Sequence, residues 1–353
     1  MRAFQNRPRL RWLVPIVAVT ALVAGGLVAG TAAAEPSLPE QSAEQLVAKV
    51  AASRPTQFSG TAETRADLGL PELPGSRRGS DFEALLSGEN TIRVWVGTEQ
   101  QTRVAVHGTF GESDLVRDGS DVWLWNSRER TAVHSKVTGG KDRSAESAPT
   151  PQQLAAQAIE AIEPTTRISV ARNVTVAGRA AYELVLEPKD DRSLIEQVRI
   201  AVDGERFLPL RVQIFGEGSD RPAAEAAFTR IDFSAPDPGV FEFTPPAGTE
   251  VVEPDDHDRS GRPEKPGKSD HPRSGEKPAV IGKGWTAVHL IKGERPDRKA
   301  EQDDILEALP RVSGSWGTGR LFSSRLVTAV ITDDGRIAVG PVRSELLYAA
   351  LER

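Results

Sequence analysis

The sequence contains no cysteine, and this excludes several kinds of functional site at once. Without a thiol there is no disulfide, no zinc–thiolate centre, no cysteine nucleophile and no lipoprotein cysteine to acylate. A basic excess is also missing, because 44 Lys and Arg stand against 50 Asp and Glu, for a net charge of -6. Since neutralising phosphates needs a basic face, we expect no nucleic-acid partner. The hydrophobic content of 38% supports a folded core, and 353 residues predict two folded units or one large one.

The first 34 residues have the pattern of an export signal. Arginines at positions 2, 7, 9 and 11 precede an uncharged, mostly apolar stretch over residues 12–30, and alanines at 32–34 provide a small-residue cleavage site. The apolar stretch, of about 19 residues, is also long enough to stay in the membrane as an anchor. We therefore expect an exported, extracytoplasmic protein, periplasmic or secreted, that is either cleaved or tethered to the cytoplasmic membrane by residues 12–30.

Residues 35–252 have the pattern of a mainly β unit. Short stretches alternate apolar with polar or small residues, which is typical of antiparallel strands with one buried face. The predicted strands are 58–66, 91–96, 101–107, 113–117, 121–126, 131–137, 167–176, 180–187, 196–203, 208–215 and 223–233. Residues 68–90 are predicted to form a long loop with a short helix at 82–86. Strands that follow one another without intervening helices argue against a parallel βαβ fold.

Two helices are predicted in this unit. Ser42 to Gln45 form a capping box, after which Leu46 and Val50 share one helix face. The second helix is predicted over residues 151–163, because Thr150 can cap it and Pro151 suits its first turn. Its apolar face consists of Leu154, Ala158 and Ile162.

Residues 253–279 are predicted to be a disordered, charged linker, because residues 253–278 include five prolines and no apolar side chain. Residues 280–353 are predicted to form a small α+β module. Its predicted strands are 285–291, 326–332 and 336–342, and its predicted helices are 303–309 and 344–351. The complete prediction is a mainly β (α+β) protein with two modules.

No convincing catalytic or metal-binding pattern is present. Asp255–Asp258 is an acidic stretch in the linker, where a solvated charge run is the simpler interpretation. Gly267–Ser269 resembles the end of a phosphate-binding loop but lacks the upstream glycine. Ser313–Gly317 has Ser where the nucleophile-elbow pattern needs its first Gly, and we predict a loop there. We expect no catalytic residue, no cofactor and no metal, with an exported hydrolase as the least favoured alternative.

The strand at Val122–Trp125 has bulky apolar side chains on both faces. One interpretation is an ordinary core beneath the helices. The other is a curved sheet whose concave face stays partly unfilled and holds an acyl chain, because ligand cavities favour apolar and aromatic walls. The residues alone leave both open.

Four segments resemble the LolA/LolB–RseB superfamily of extracytoplasmic lipoprotein carriers and envelope sensors. Asp118–Asn126 is similar to the family's "DG-x-x-(apolar)-W-(apolar)-aromatic-N" strand, and Phe241–Gly248 to its closing "F-x-F-x-PP-x-G" signature. Ala177–Pro188 and Pro209–Arg211 are similar to the sensor branch. The resemblance extends over about residues 40–253, with the segments in the family's order.

This resemblance implies a half-open antiparallel β-barrel with lid helices and an apolar cavity, and no catalysis. The implied ligands are lipids or the acyl chains of lipoproteins. We expect the lipid-binding residues to be Val94, Val96, Val104, Val106, Trp123, Trp125, Tyr182, Leu184, Val198 and Ile200. We expect the lid residues to be Leu46, Val50, Leu154, Ala158 and Ile162.

Two departures from the carriers leave the function open between two roles. The carriers have an arginine that latches the lid after a "W-V" pair, whereas this chain has Gly97 and Thr98 there. Arg93 and Arg103 are the nearest substitutes, and we predict that neither forms a charged latch. The carriers also end soon after the "PP-x-G" signature, whereas this chain continues into a second module. That layout resembles the sensor branch, which implies a membrane-bound regulator, an anti-sigma factor, as the alternative partner.

Overall fold

A computed structural model describes residues 36–53, 57–69, 88–98, 100–108, 111–136, 164–253, 279–292 and 306–353. The predicted export signal, the predicted helix at 151–163 with Leu154, Ala158 and Ile162, and nearly all of the predicted linker lie outside the described residues. Among the residues that are described, no helix is both long and apolar enough to cross a membrane.

A large open sheet dominates the described part of the chain, and it agrees with the predicted half-barrel. Its strands pair in the order β13-β6-β5-β4-β3-β2-β1-β12-β11-β10-β9-β7, and β8 pairs with β9. The strands are β1 (Phe58–Ala66), β2 (Gly88–Val96), β3 (Gln101–Gly108), β4 (Gly111–Asp118), β5 (Asp121–Asn126), β6 (Thr131–Lys136), β7 (Thr166–Val170), β8 (Val174–Val176), β9 (Arg179–Pro188), β10 (Ile195–Asp203), β11 (Pro209–Gly216), β12 (Ala224–Asp232) and β13 (Glu250–Val252). Neighbouring strands run antiparallel, whereas β13 runs parallel to β6.

Helix α1 (Ala43–Ala52) packs against one side of this sheet. Its first turn has the predicted capping box, in which Ser42 accepts from the Gln45 backbone and Gln45 accepts from the Ser42 backbone. Leu46 is fully buried and packs with Tyr182 and Leu184. The side of α1 that the sequence predicted to be apolar is therefore the side that packs against β9.

Three predictions for the large sheet were wrong in detail. The strand predicted at 167–176 is two strands, β7 and β8, because each pairs with a different part of β9. Residues 88–90 were placed in a loop, but β2 begins at Gly88, because Arg65 binds Glu89 across the ladder and Asn90 pairs with Thr64. Strand β13 was not predicted. Its three residues are exposed and gain their pairing only from β6, which is distant in sequence.

The C-terminal module has its own sheet and its own core. The strands are β14 (Ala279–Ile281), β15 (Val288–Lys292), β16 (Arg311–Gly314), β17 (Gly317–Ser323), β18 (Thr328–Thr332) and β19 (Arg336–Gly340), in the order β14-β15-β19-β18-β17-β16. Helix α2 (Ser344–Leu351) covers it, and Leu347 packs with Val330 and Ala338.

The prediction of three strands for this module was also wrong. Ser313–Gly317, predicted as a loop, contains the end of β16, the two-residue turn at 315–316 and the start of β17, which together form a hairpin. Trp285 was placed in a strand but lies in a 3-10 turn, because its indole packs against Val198 and Val212 and donates to the Thr166 hydroxyl at 2.8 Å.

The module contacts one end of the large sheet. Arg343 forms an ion pair with Glu217 just after β11, and Arg325 binds Asp67 just after β1 at 2.5 Å. The Leu194 backbone donates to the carbonyl of Pro341 at 2.8 Å. These contacts, together with Trp285, join the two sheets on the side where β1 and β11 end.

Candidate functional site

Strands β1 to β6 carry a continuous apolar row across one face. Residues that are direct partners on neighbouring strands lie on the same face of a sheet. The registers join Val94 to Val104, Val104 to Leu115, Leu115 to Leu124, and Leu124 to Val133. No register shift interrupts these pairings, so the row crosses five strands, a distance of about 19 Å at ~4.8 Å per strand. We call the side of β1–β6 that carries it the apolar face.

Charge is distributed very unequally between the two faces of β1–β6. On the apolar face of these six strands, Arg117 is the only charged residue. The opposite face, which we call the polar face, carries Glu63, Arg65, Glu89, Arg93, Arg103, Glu112, Asp114, Asp118, Asp121 and Lys136. One face is therefore suited to apolar ligands and the other to water or to polar protein segments.

Leu115 and Leu124 are exposed at the middle of the apolar row. They remain 36% and 41% exposed, whereas Ile92 and Val106, on the same face, are fully buried. An exposed leucine by itself is ordinary, but two adjacent leucines in a row without charge form a patch that water solvates poorly. This patch is the part of the apolar face that can accept an apolar ligand.

The polar face is covered at one end by residues 238–243, which we call the strap. Arg103 donates to the Val240 carbonyl at 3.2 Å and pairs with the buried Asp114. Phe241 is 2% exposed, and a side chain at Gly97 would lie 2.8 Å from its ring. Glycine stands at 97, where the carriers' latch region begins, because the strap occupies that space.

Burial under the strap raises the pKa of Asp114, and the neighbouring Arg103 guanidinium offsets this increase only in part. Arg103 links the strap to the sheet, because it pairs with Asp114 on β4 and donates to the Val240 carbonyl in the strap. Arg93 is exposed on the same polar face. Neither arginine considered as a substitute latch lies on the apolar face.

The predicted lipid-binding residues separate into groups. Val94, Val96, Val104 and Val106 pack in or against one cluster, with Ile92 and Phe58. Tyr182, Leu184 and Ile200 belong to the cluster under α1, which also contains the predicted lid residues Leu46 and Val50. Val198 packs with Val212 and Trp285.

The two tryptophans of β5, which were predicted to bind lipid, do not lie on the apolar face. The registers place Trp123 and Trp125 on the polar face, where both rings approach the Phe243 ring, with centroids 5.4 and 6.3 Å apart. The exposed apolar residues Leu115 and Leu124 were not among the residues predicted from the sequence. Period-two alternation would have indicated Leu124, because it separates two tryptophans and must face the other way.

The described residues offer little for catalysis or metal binding. Within them, no group of three or more His, Cys, Asp and Glu side chains is arranged to hold a metal ion. His134 lies 2.8 Å from Asp121 and stacks on Trp123, and its hydrogen bond lowers the pKa of Asp121. His107 lies 3.3 Å from Glu112. Both histidines are on the polar face, in local pairs without a nucleophile.

Comparison with solved structures found several that are similar to this chain at low sequence identity. A structure of the Pseudomonas aeruginosa MucA/MucB complex is similar at 16% identity and a TM-score of 0.44, covering 88% of this chain and 96% of that one. A LolA superfamily protein from Nitrosomonas europaea is similar at 11% identity and a TM-score of 0.23, covering 58% of this chain and 99% of that one.

A putative outer membrane lipoprotein-sorting protein domain from Vibrio parahaemolyticus is similar at 11% identity and a TM-score of 0.20, covering 52% of this chain and 88% of that one. No protein-family model matches the chain. A search of curated protein sequences also found no match.

Proposed function

We propose that this protein is an exported binding protein that holds lipid or lipoprotein acyl chains on the apolar face of β1–β6. The observation that carries the proposal is the row from Val94 to Val133, with Leu115 and Leu124 exposed at its middle. Export is proposed from residues 1–34, with residues 12–30 either removed or kept as a membrane anchor.

The row suits an acyl chain better than it suits a polar ligand. Covering apolar surface is favourable by roughly 0.8 kcal/mol per buried CH₂, and a long acyl chain lying on the row has many such groups. No charged side chain interrupts the row itself. In this proposal the helix predicted at 151–163 supplies the lid residues Leu154, Ala158 and Ile162.

The chemistry required is binding, and we propose no catalytic step. Of the site residues expected from the sequence, four valines fit this proposal best, because Val94 and Val104 belong to the row and pack in one cluster with Val96 and Val106. Tyr182, Leu184, Val198 and Ile200 would serve it by holding α1 and the C-terminal module in place.

A second role, an envelope sensor that binds a membrane-bound anti-sigma factor, is favoured by one feature. The C-terminal module has its own core, around Val330 and Leu347, and is joined to the large sheet by specific contacts such as Arg343–Glu217. A carrier has no obvious need for such a module. A sensor could use it as a second binding surface.

Native mass spectrometry of the full chain, purified from its own cell envelope, tests the first role. We expect adducts whose masses match acyl lipids, which are lost when the solution contains excess detergent. A chain that carries no lipid adduct but co-purifies with a membrane-spanning anti-sigma factor would favour the sensor role and contradict the carrier role.

A further inference from the structure

Arg117 is the one charged side chain on the apolar face of β1–β6, and its surroundings are unusual. It lies near the end of β4, two residues after Leu115 and therefore about 7 Å farther along the same face. Its direct partners are Thr102 on β3 and Val122 on β5, and neither carries a charge.

The guanidinium is oriented but not neutralised. Its Nε–H donates to the carbonyl of Gly119 at 3.2 Å, which ties the group to the β4–β5 turn. Among the described residues, no carboxylate forms an ion pair with it. The nearest acids in the sequence are on the polar face, where Gln101 donates to Asp118 and His134 binds Asp121.

A half-buried cation beside an apolar surface is costly unless an anion pairs with it. Arginine has five N–H donors in a planar fork, and within the described part of the chain one of them, Nε–H, is used in the bond to Gly119. This fork matches the geometry of a carboxylate or a phosphate, which it can bind with two parallel hydrogen bonds. The arrangement is an apolar row with one anion-binding group beside its middle.

We propose that Arg117 binds the anionic head group of a lipid whose acyl chain lies on the row through Leu115 and Leu124. This inference rests on the proposed function and specifies its ligand class, an acyl lipid with a carboxylate or phosphate head. The chain contacts the leucines, and the head group lies at the end of β4. Arg117 thereby selects anionic over neutral lipids of the same chain length.

The test compares two ligands that differ only in head-group charge. Hexadecanoic acid and its methyl ester compete with a neutral fluorescent acyl probe for the full-length protein and for Arg117→Gln. We expect the variant to bind the acid about tenfold more weakly, which is the effect of one charged hydrogen bond, and to bind the ester within about twofold of the parent.

Two further variants make the result specific. Arg93→Gln removes an arginine from the polar face of a nearby strand and should change neither ligand's affinity. Arg117→Lys keeps the charge but not the fork, and should keep part of the preference for the acid. Melting temperatures of all variants would show that the sheet is intact.

The possible outcomes distinguish a failure of the Arg117 inference from a failure of the proposed acyl-chain binding. Equal weakening of acid and ester in Arg117→Gln would assign Arg117 a structural role, such as holding a covering segment, and would overturn the inference. No discrimination by the parent between acid and ester would overturn it as well, while leaving acyl-chain binding in place. Failure of the parent to bind either ligand would overturn both.

Discussion

Replacing the two exposed leucines should weaken acyl-chain binding far more than it weakens the fold. Leu115 and Leu124 are 36% and 41% exposed, so a ligand can still cover a substantial part of each side chain. Full burial of a leucine contributes about 1.5–3 kcal/mol, so covering the exposed part contributes about 1 kcal/mol each. The double variant Leu115→Ala/Leu124→Ala should therefore lose about 2 kcal/mol, or roughly thirtyfold in affinity.

The loss of stability in the same double variant should be small compared with that of a change at a buried leucine. Leucine-to-alanine changes at fully buried positions cost about 2–5 kcal/mol, and Leu46→Ala, on the buried face of α1, should fall in that range. The two exposed leucines should cost clearly less, because much of each side chain is already in contact with water.

Fluorescent fatty-acid titration and urea denaturation measure the two effects separately. Ile291→Ala is the matched control, because Ile291 is 39% exposed but lies in the C-terminal module. It should leave the affinity unchanged. An unaltered affinity in the double variant, or an equal loss in Ile291→Ala, would refute the assignment of the binding surface.

Three other predictions concern the framework of the protein. Limited proteolysis should cut first within residues 254–278, and the two products should still elute together because contacts such as Arg343–Glu217 join them; products that elute separately would contradict the interface. Arg103→Ala should lower the free energy of unfolding by about 3–5 kcal/mol because it leaves the buried Asp114 unpaired, and a double variant that replaces both with apolar residues should recover much of it in urea titrations. Asp334→Asn should lower the melting temperature slightly at pH 7, because the Arg336 and Thr332 hydrogen bonds lower the pKa of Asp334 from 3.8 to about 2. The lowered pKa stabilises the fold above pH 3.8, and this stabilisation is lost as the pH falls through about 2. The difference in melting temperature between variant and parent should therefore shrink from pH 5 towards pH 3, and a constant difference would contradict this prediction.

Local patterns in the sequence were sufficient for several elements. Strand β1 occupies residues 58–66 as predicted, because Phe58, Ala62 and Thr64 lie at even spacings and are buried on one face. Strand β5 also has the predicted bounds, since Gly119 with φ +59° closes the turn before it. The start of α1 followed directly from its capping box. These elements depend on interactions within a few residues.

The site depended on information that local patterns do not carry. Alternation shows that Trp123 and Leu124 point to opposite faces, but only the register with β4 and β3 shows which face is charged. Trp123 was expected to line a cavity because it is large, yet the strap supplies Phe243 as its partner from a distant part of the chain. Arg117 was overlooked for the same reason, because its isolation among apolar residues exists only across strands.

The C-terminal module was less predictable because its strands are short and rich in glycine. Strand β16 has four residues, and β14 has three, so neither gives a clear alternating pattern. Their pairing with β17 and β15 defines them. Trp285 likewise lies outside the strand predicted for it, because its indole donates a hydrogen bond to Thr166 in the large sheet.

Photo-crosslinking with a fatty acid that carries a diazirine near the middle of its chain tests the central claim most directly. After irradiation of the full-length protein and proteolysis, tandem mass spectrometry would assign each label to a residue. We expect labels on Leu115 and Leu124 that unlabelled hexadecanoic acid competes away. Competed labels confined to α1 and β9, or to polar-face residues such as Trp123, would contradict the assignment of the binding surface.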